Sequence, residues 1–335
     1  MTVIILASGS GHNIQIDKKC YIAGETSETM DTEVLDGVRL NWNPEATVAL
    51  NFAIAFIMFG VALGLSRANF VELFKNPKPT LTGIISQFVL LPSFTFVLVW
   101  LFNPLPGLAL GMILVAACPG GNLSNFFSWI GKGNVALSIS LTASASFLAV
   151  ILTPMNFEFW GGMLDSTSGL LKEVNIDFFQ MVSLVFFTIA LPLITGYVFK
   201  AKFPGMAKKI VTPIKYMSFV LLMAIIVVAF VNNYALFIKY YHHILALVFI
   251  HNASALAIGY YFSRIMNVSQ QDTRSITIET GIQNSGLGLL IVFSVFKGQG
   301  GMALIAAWWG IWHIISGFVV SQYFAFRSRR LVLAE

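Results

Sequence analysis

Two polar stretches that contain glycine interrupt long apolar segments, one in each half of the chain: Cys118 to Asn125 (CPGGNLSN) and Glu279 to Gly286 (ETGIQNSG). Neither stretch can face lipid, because an unpaired backbone polar group in hydrocarbon costs several kcal/mol. Interrupted helices occur at membrane depth where they line a cavity, and in transporters they bind the substrate and the coupling ion. The two interruptions therefore indicate a secondary transporter.

Glu279 is the only carboxylate that we place inside an apolar segment. A carboxylate at membrane depth is costly and marks a functional site by default. No Lys or Arg lies deep within a predicted segment, so His251 and His313 are the only partners that could share its charge. Two states of Glu279 are then compatible with the sequence, a protonated acid and a carboxylate that binds a cation. The neighbouring residues favour the bound cation.

Those neighbours are oxygen donors, which hard cations such as sodium prefer. Gln283 follows Glu279 by four residues, and Thr142 follows Ser138 by four, so each pair shares one face of a helix. The other oxygen donors near the interruptions are Ser124, Asn125 and Gln87. Each alone has an ordinary structural role, because such side chains also bond their own helix or join two helices. Together with a lone carboxylate they predict a cation site.

The first interruption also predicts an anion site. After Pro119-Gly120-Gly121 the helix restarts at Asn122 and Leu123, where free N–H groups and the positive end of the helix dipole would face the cavity. Such a helix start suits a carboxylate or a sulfonate. The alternative is that the two glycines only allow two helices to cross closely.

The composition places the chain in a membrane. Apolar residues make up 57% and charged residues only 10%, with a mean hydropathy of +0.79, whereas soluble domains carry roughly 25% charged residues. Apolar runs of about 20 residues predict an all-α polytopic fold with nine spans, near 45–66, 80–102, 106–131, 134–154, 177–199, 212–231, 241–263, 274–296 and 302–326.

Most of the twenty Lys and Arg residues lie on one set of loops, which the positive-inside rule predicts to be cytoplasmic. With nine spans, the C-terminus is then cytoplasmic and the N-terminus outside. We expect a polar extracytoplasmic tail at 1–44, a membrane domain at 45–327 and a short cytoplasmic tail at 328–335. No glycosylation sequon falls in a predicted external loop, which favours a bacterial inner membrane among plasma membranes.

Four stretches carry a family resemblance: Ser86 to Pro92 (SQFVLLP), Cys118 to Asn125, Gly131 to Ser138 (GKGNVALS) and Glu279 to Gly286. On these stretches the chain resembles the bile acid:sodium symporter family, in particular its taurocholate-cotransporting branch and the bacterial homologues. The resemblance implies two inverted five-helix repeats, with the first helix of repeat one missing. It also implies a core domain and a panel domain, and two broken helices that cross.

The resemblance further implies two sodium sites and a substrate site. The first sodium site would consist of Ser124, Asn125, Ser138, Thr142 and Glu279. The second would consist of Gln87, Glu279, Gln283 and the backbone carbonyls of Thr280 and Ile282. The substrate site would include Asn122, Leu123, Asn284 and His313. One departure affects the substrate site, because Ile314 stands where bacterial relatives often carry Asn.

We therefore expect a sodium-coupled symporter that imports an organic anion, either bile-acid-like or a small carboxylate or sulfonate, by alternating access. Its partners would be the anion, sodium as coupling ion and membrane lipid, with no organic cofactor and no nucleic acid. The alternatives are an uncoupled channel or a proton-coupled transporter of the same fold. An intramembrane hydrolase is disfavoured, because the sequence lacks a pair of intramembrane Asp residues and a His-Glu-x-x-His motif. A serine mechanism would need a pair such as Ser285 with His313, and His313 is better explained as a packed or hydrogen-bonding residue of its helix.

Overall fold

A computed structural model describes Leu40, residues 44–174 and residues 177–332 of the chain, and these residues form helices with no β-strand. The helices up to the middle of the chain are α1 (Pro44–Gly64), α2 (Arg67–Lys75), α3 (Pro77–Phe102), α4 (Pro106–Ala117), α5 (Leu123–Ile130), α6 (Val135–Gly162) and α7 (Asp165–Val174). The remaining helices are α8 (Phe178–Lys202), α9 (Pro204–Asn232), α10 (Tyr234–Ile265), α11 (Gln270–Gly281), α12 (Ser285–Ser294) and α13 (Gly300–Val332).

Six of the described helices are long and apolar enough to cross a membrane, namely α1, α3, α6, α8, the Ile244–Ile265 part of α10 and the Gly300–Arg329 part of α13. The fold is therefore that of an all-helical polytopic membrane protein. The two interruptions separate α4 from α5 and α11 from α12. The number of nine spans and the inverted repeats stay predictions.

Some boundaries differ from the predicted ones. The fourth predicted span stops at Pro154, whereas α6 continues through this proline to Gly162. Helix α13 passes the predicted start of the C-terminal tail without a break and ends at Val332. Most of the predicted N-terminal tail lies outside the described residues. Leu40, near its end, is buried and donates its N–H to the Gly298 carbonyl (2.8 Å).

Helices α3 and α8 each contain one π-helical turn directly before a Leu-Pro pair, at Ser86–Leu90 and at Phe186–Ala190. Proline has no N–H, and its ring clashes with the carbonyl four residues before it in a regular α-helix. The wider turn accommodates the proline, and the N–H of the preceding leucine bonds to a carbonyl five residues back. The first π turn includes Gln87, whose side chain is buried.

The helices pack in two groups. Helices α1, α8 and α9 pack against one another, and we call them the panel group. The remaining long helices and the four half-helices α4, α5, α11 and α12 form the core group. Helix α1 also contacts α12, so the panel group lies beside the second interruption. Within the panel group, Gly196 of α8 lies directly against Phe59 and Ala62 of α1.

Replacement of Gly196 by alanine should destabilise the protein. A Cβ atom at this position would lie 2.7 Å from both the Phe59 carbonyl oxygen and the Ala62 Cβ, and overpacking of this kind costs about 1–3 kcal/mol. We expect a lower melting temperature of Gly196→Ala in detergent. Gly205→Ala is the matched control, because a Cβ on this helical glycine would meet no atom within 4 Å. Equal melting temperatures of the two variants would contradict the close packing of α1 on α8.

Candidate functional site

The two interruptions satisfy each other's backbone polar groups. The Gly121 N–H donates to the Ile282 carbonyl (2.7 Å), and the Asn284 N–H donates to the Pro119 carbonyl (2.8 Å). These bonds flank an isolated antiparallel bridge between Gly120 and Gln283. A break in a buried helix frees N–H and carbonyl groups that need partners, and here each break supplies partners to the other. The crossing point is therefore a fixed element of backbone structure.

Side chains from neighbouring helices bond the ends of the half-helices at the crossing. The Thr153 hydroxyl of α6 donates to the carbonyl of Ala117, the last residue of α4 (2.7 Å). The Asn252 amide of α10 donates to the carbonyl of Gly281, the last residue of α11 (2.8 Å). These bonds satisfy carbonyls that have no partner within their own helix.

Glu279 lies in the last turn of α11 and is only 2% exposed. Three hydroxyl groups donate hydrogen bonds to its carboxylate. The Ser124 hydroxyl bonds Oε2 at 2.5 Å and the Ser138 hydroxyl bonds the same oxygen at 3.2 Å, while the Thr142 hydroxyl bonds Oε1 at 2.7 Å. Hydrogen bonds to an ionised acceptor are the strongest of their kind. The cluster therefore stabilises a charged carboxylate in a buried position.

Two further side chains complete this cluster. The Asn125 amide oxygen lies 3.4 Å from the Thr142 hydroxyl, and the Ser128 hydroxyl donates to Ser138 Oγ at 3.2 Å. All five residues predicted for the first sodium site thus lie together. Ser128 was not predicted, although it follows Ser124 by four residues and so lies on the same face of α5.

The alignment of Thr142 with Glu279 follows from how α6 and α11 begin. The Asn134 side chain caps α6, and its amide nitrogen donates to Asp272 in the first turn of α11 (2.8 Å). The two helices therefore start at the same level. Thr142 follows Asn134 by eight residues and Glu279 follows Asp272 by seven, so both lie about 10–12 Å along their helices. One capping contact therefore sets the register of the side chains predicted to bind the ion.

Gly120 brings the crossing backbone against both the carboxylate and an amide. A Cβ at this position would lie 2.3 Å from Glu279 Oε1 and 2.9 Å from Gln87 Nε2. Only glycine leaves room for both side chains here. Gln87 of the π turn and Glu279 of α11 therefore meet on the same side of the crossing.

The residues predicted for the second sodium site also lie at this point. The Gln283 amide nitrogen donates to the Thr280 carbonyl (2.8 Å), which leaves Gln283 Oε1 buried without a hydrogen-bond partner. Gln87 Nε2 is buried and unpaired as well, and its amide can present oxygen instead of nitrogen after a half turn. The Ile282 carbonyl accepts one bond from Gly121 and keeps a second lone pair. The unpaired Gln283 Oε1 and the free lone pair of the Ile282 carbonyl are oxygen atoms that a cation could use.

The donor set indicates the kind of cation. Among the described residues, no group of three His, Cys, Asp or Glu side chains could hold a metal ion. One carboxylate with hydroxyl, amide and carbonyl oxygens is a set for a hard cation of low charge, and it lacks the nitrogen and sulfur ligands that zinc prefers.

A cleft beside the crossing contains all four residues predicted for the substrate site, Asn122, Leu123, Asn284 and His313. It adjoins the ion-site residues, since Ile282 and Gln283 also line it. Its opposite wall is formed by three apolar residues of α1 that the sequence analysis missed, Ile54, Ile57 and Met58. The cleft therefore lies between the core group and the panel group.

Two helix starts meet at the cleft. Helix α5 starts at Leu123, and α12 starts at Ser285 with its Leu287 N–H capped by the Asn284 side chain (3.0 Å). The positive ends of two helix dipoles therefore face the same space. Ile314 does not line the cleft and packs instead against the apolar cluster that includes Phe127 and Ile282.

Neither histidine serves as a partner of Glu279. His251 Nε2 lies 2.7 Å from the Thr95 hydroxyl, and its ring packs edge-on against Trp309. His313 Nδ1 is buried without a hydrogen-bond partner. The hydroxyl cluster, and not an imidazole, therefore surrounds the carboxylate.

Replacement of Gly120 by alanine should weaken cation binding strongly. The added methyl group would displace the Glu279 carboxylate, and a lost hydrogen bond to a charged group costs about 1.5–3 kcal/mol, or about 10- to 100-fold in affinity. We expect the apparent affinity for sodium, measured by thermal-shift titration, to fall by this factor. Gly288→Ala is the control, because its Cβ would meet its nearest atom at an ordinary 3.6 Å. An unchanged sodium response in Gly120→Ala would contradict the contact.

Comparison with known proteins agrees with this geometry. Residues 51–240 match the model of the Sodium Bile acid symporter family. A Bacillus subtilis protein named "Uncharacterized sodium-dependent transporter YocS" is 28% identical over 83% of this chain and 83% of its own length. The Arabidopsis thaliana "Probable sodium/metabolite cotransporter BASS1, chloroplastic" is 30% identical over 84% of this chain and 67% of its own length.

The "Hepatic sodium/bile acid cotransporter" of Rattus norvegicus is 30% identical over 62% of this chain and 57% of its own length. The relatives are named as transporters and cotransporters, so the family is one of sodium symporter-type transport and not of enzymes. The family match covers more than half of the chain and includes the first interruption. This multi-pass membrane protein therefore belongs to the Sodium Bile acid symporter family.

Proposed function

We propose that the protein is a sodium-coupled symporter that imports an organic anion by alternating access. The observation that carries this proposal is the position of Glu279. Its carboxylate is buried among three hydroxyl donors, and the crossing backbone that contacts it also forms one wall of the cleft. An ion bound at the carboxylate would therefore act directly on the shape of the cleft.

In this proposal two sodium ions bind at two sites that share Glu279. The first would be held by Ser124, Asn125, Ser138, Thr142 and Glu279. The second would be held by Gln87, Glu279, Gln283 and the carbonyls of Thr280 and Ile282. Support comes from the hydroxyl cluster for the first site and from the unpaired oxygen of Gln283 for the second. Sodium entering down its gradient and the membrane potential would drive concentrative uptake.

The anion would bind in the cleft with its carboxylate or sulfonate at the starts of α5 and α12. Asn122, Leu123, Asn284 and His313 would surround it, and the apolar wall from α1 would contact its hydrocarbon part. Sodium would fix the crossing and so complete the anion site. The panel group and the core group would then rock against each other, because the cleft lies between them.

The proposed location is a plasma membrane, of the bacterial inner-membrane type, with the N-terminus outside and the C-terminus cytoplasmic. The basis is the bias of Lys and Arg to one set of loops. Two sodium ions with one monoanion would carry net positive charge inward, so uptake would depend on membrane potential.

Replacement of Glu279 by alanine should abolish sodium-driven uptake and leave the protein in the membrane. The physical reason is that the variant removes the only charged ligand of both proposed sites. The measurement is anion uptake into proteoliposomes under a sodium gradient, compared with a potassium gradient, with taurocholate and a set of small carboxylates as substrates. Glu158→Ala is the control, since Glu158 is an exposed acid on α6. Undiminished sodium-driven uptake in Glu279→Ala would refute the assignment.

Replacement of His313 by glutamine should separate the anion site from the ion sites. His313 lines the cleft but makes no hydrogen bond to Glu279 through Nδ1. We expect the KM for the anion to rise by about tenfold, the loss of roughly one hydrogen bond to a charged group, while sodium still raises the melting temperature. Loss of the sodium response together with uptake would place His313 at the ion sites instead.

A further inference from the structure

An apolar cavity of about 340 Å³ lies away from the crossing, on the side where the basic loops lie. The size falls within the range of roughly 300–1,000 Å³ that is common for ligand pockets. Panel helix α8 contributes Leu193, Ile194 and Tyr197 to its wall. The opposite wall comes from Phe147 of α6 and from α2 with its preceding turn. The cavity therefore spans the seam between the panel group and the core group.

One cation lines this cavity and a second lies beside it. Arg67, the first residue of α2, lines the cavity directly and is exposed. Lys200 of α8 donates a hydrogen bond from its ammonium group to the carbonyl of Leu65, which is also a lining residue. An apolar interior with cations at its mouth is complementary to an anionic amphiphile.

Apolar side chains at the mouth of the cavity are exposed, as on a surface that faces lipid. Ile194 is 43% exposed, and Val71 on α2 is exposed as well. Helix α2 is short and follows the end of α1, so it lies at the predicted cytoplasmic surface of the membrane domain. That leaflet carries anionic lipids, and a juxtamembrane Lys or Arg contributes about 1 kcal/mol to their attraction. A lipid therefore reaches this cavity without crossing the protein.

The cavity also sits where the two groups are joined. Helix α2 is tied to the core group by the Ser140 hydroxyl, which donates to the Asn69 carbonyl (2.8 Å). The Lys200 contact ties the same segment to the panel group. A molecule in this cavity would therefore touch both groups.

We propose that this cavity binds an anionic phospholipid of the cytoplasmic leaflet, with the phosphate at Arg67 and Lys200 and one acyl chain against Leu193, Ile194 and Phe147. The site is separate from the substrate cleft, none of whose lining residues it shares. The proposal does not depend on sodium coupling, because it rests on the charge and apolar lining of this cavity and on the predicted orientation.

The test measures lipid binding to delipidated protein in detergent, by thermal-shift titration with phosphatidylglycerol and with phosphatidylcholine of equal chain length. We expect tighter binding of phosphatidylglycerol to the wild type. Arg67→Gln should weaken that binding about fivefold, since one cation–phosphate attraction is lost. The affinity for phosphatidylcholine should not change. Ile194→Trp should weaken the binding of both lipids, because the larger side chain fills the cavity.

Two matched controls separate the cavity from general effects. Lys208→Gln removes an exposed cation from the same side of the protein but not from the rim. Val198→Trp adds the same ring one turn further along α8, at a residue with similar exposure (42%) that does not line the cavity. Both controls should bind phosphatidylglycerol like the wild type. A melting temperature close to that of the wild type in the absence of lipid verifies the folding of each variant separately.

Three results would overturn the proposal. Equal affinity of the wild type for the two lipids would exclude a role for the headgroup charge. Unchanged binding in Arg67→Gln or in Ile194→Trp would place the lipid elsewhere. Stabilisation by monomeric taurocholate that Arg67→Gln removes, without any effect of phosphatidylglycerol, would identify the occupant as an anionic amphiphile other than a phospholipid.

Discussion

The burial of one carboxylate is the constraint on which the rest of this structure depends. Glu279 is buried with no Lys or Arg bonded to it among the described contacts, so its charge is stabilised by hydroxyl donors and, in our proposal, by sodium. Helix α11 must end beside it, and Gly120 must have no side chain. Helices α6 and α11 must also start at the same level, because this alignment brings Thr142 to the carboxylate. The bond from Asn134 to Asp272 provides it.

The crossing joins the hydroxyl cluster around Glu279 to the cleft through backbone bonds. Gly121 and Asn284 donate across the two interruptions, and the residues beside them line the cleft. In the proposed function, an ion bound at Glu279 would therefore act on the starts of α5 and α12, where the anion would bind. The panel group supplies only an apolar wall to the cleft, so the rocking motion of the proposed function would break no polar contact of the crossing.

Most polar features of this site could be predicted from the sequence, with Ser128 as an exception, whereas the apolar wall of the cleft could not. Glycines and a carboxylate within apolar segments are conspicuous, and the spacing of Ser138 and Thr142 identifies a helix face. Ile54, Ile57 and Met58 look like any other apolar residues of a membrane span, so their role in the cleft required the packing of α1. The π turns arise from local proline geometry, and the pairing of the two interruptions is a contact between residues distant in the chain.

Equilibrium binding of radioactive sodium to the purified protein tests the central claim most directly. The account predicts saturable binding that excess potassium does not displace, that Glu279→Ala abolishes and that Glu158→Ala leaves unchanged. It further predicts that a transported anion tightens sodium binding in the wild type, because linkage between two ligands is reciprocal. Sodium binding that persists in Glu279→Ala would contradict the assignment of the buried carboxylate as the ion ligand.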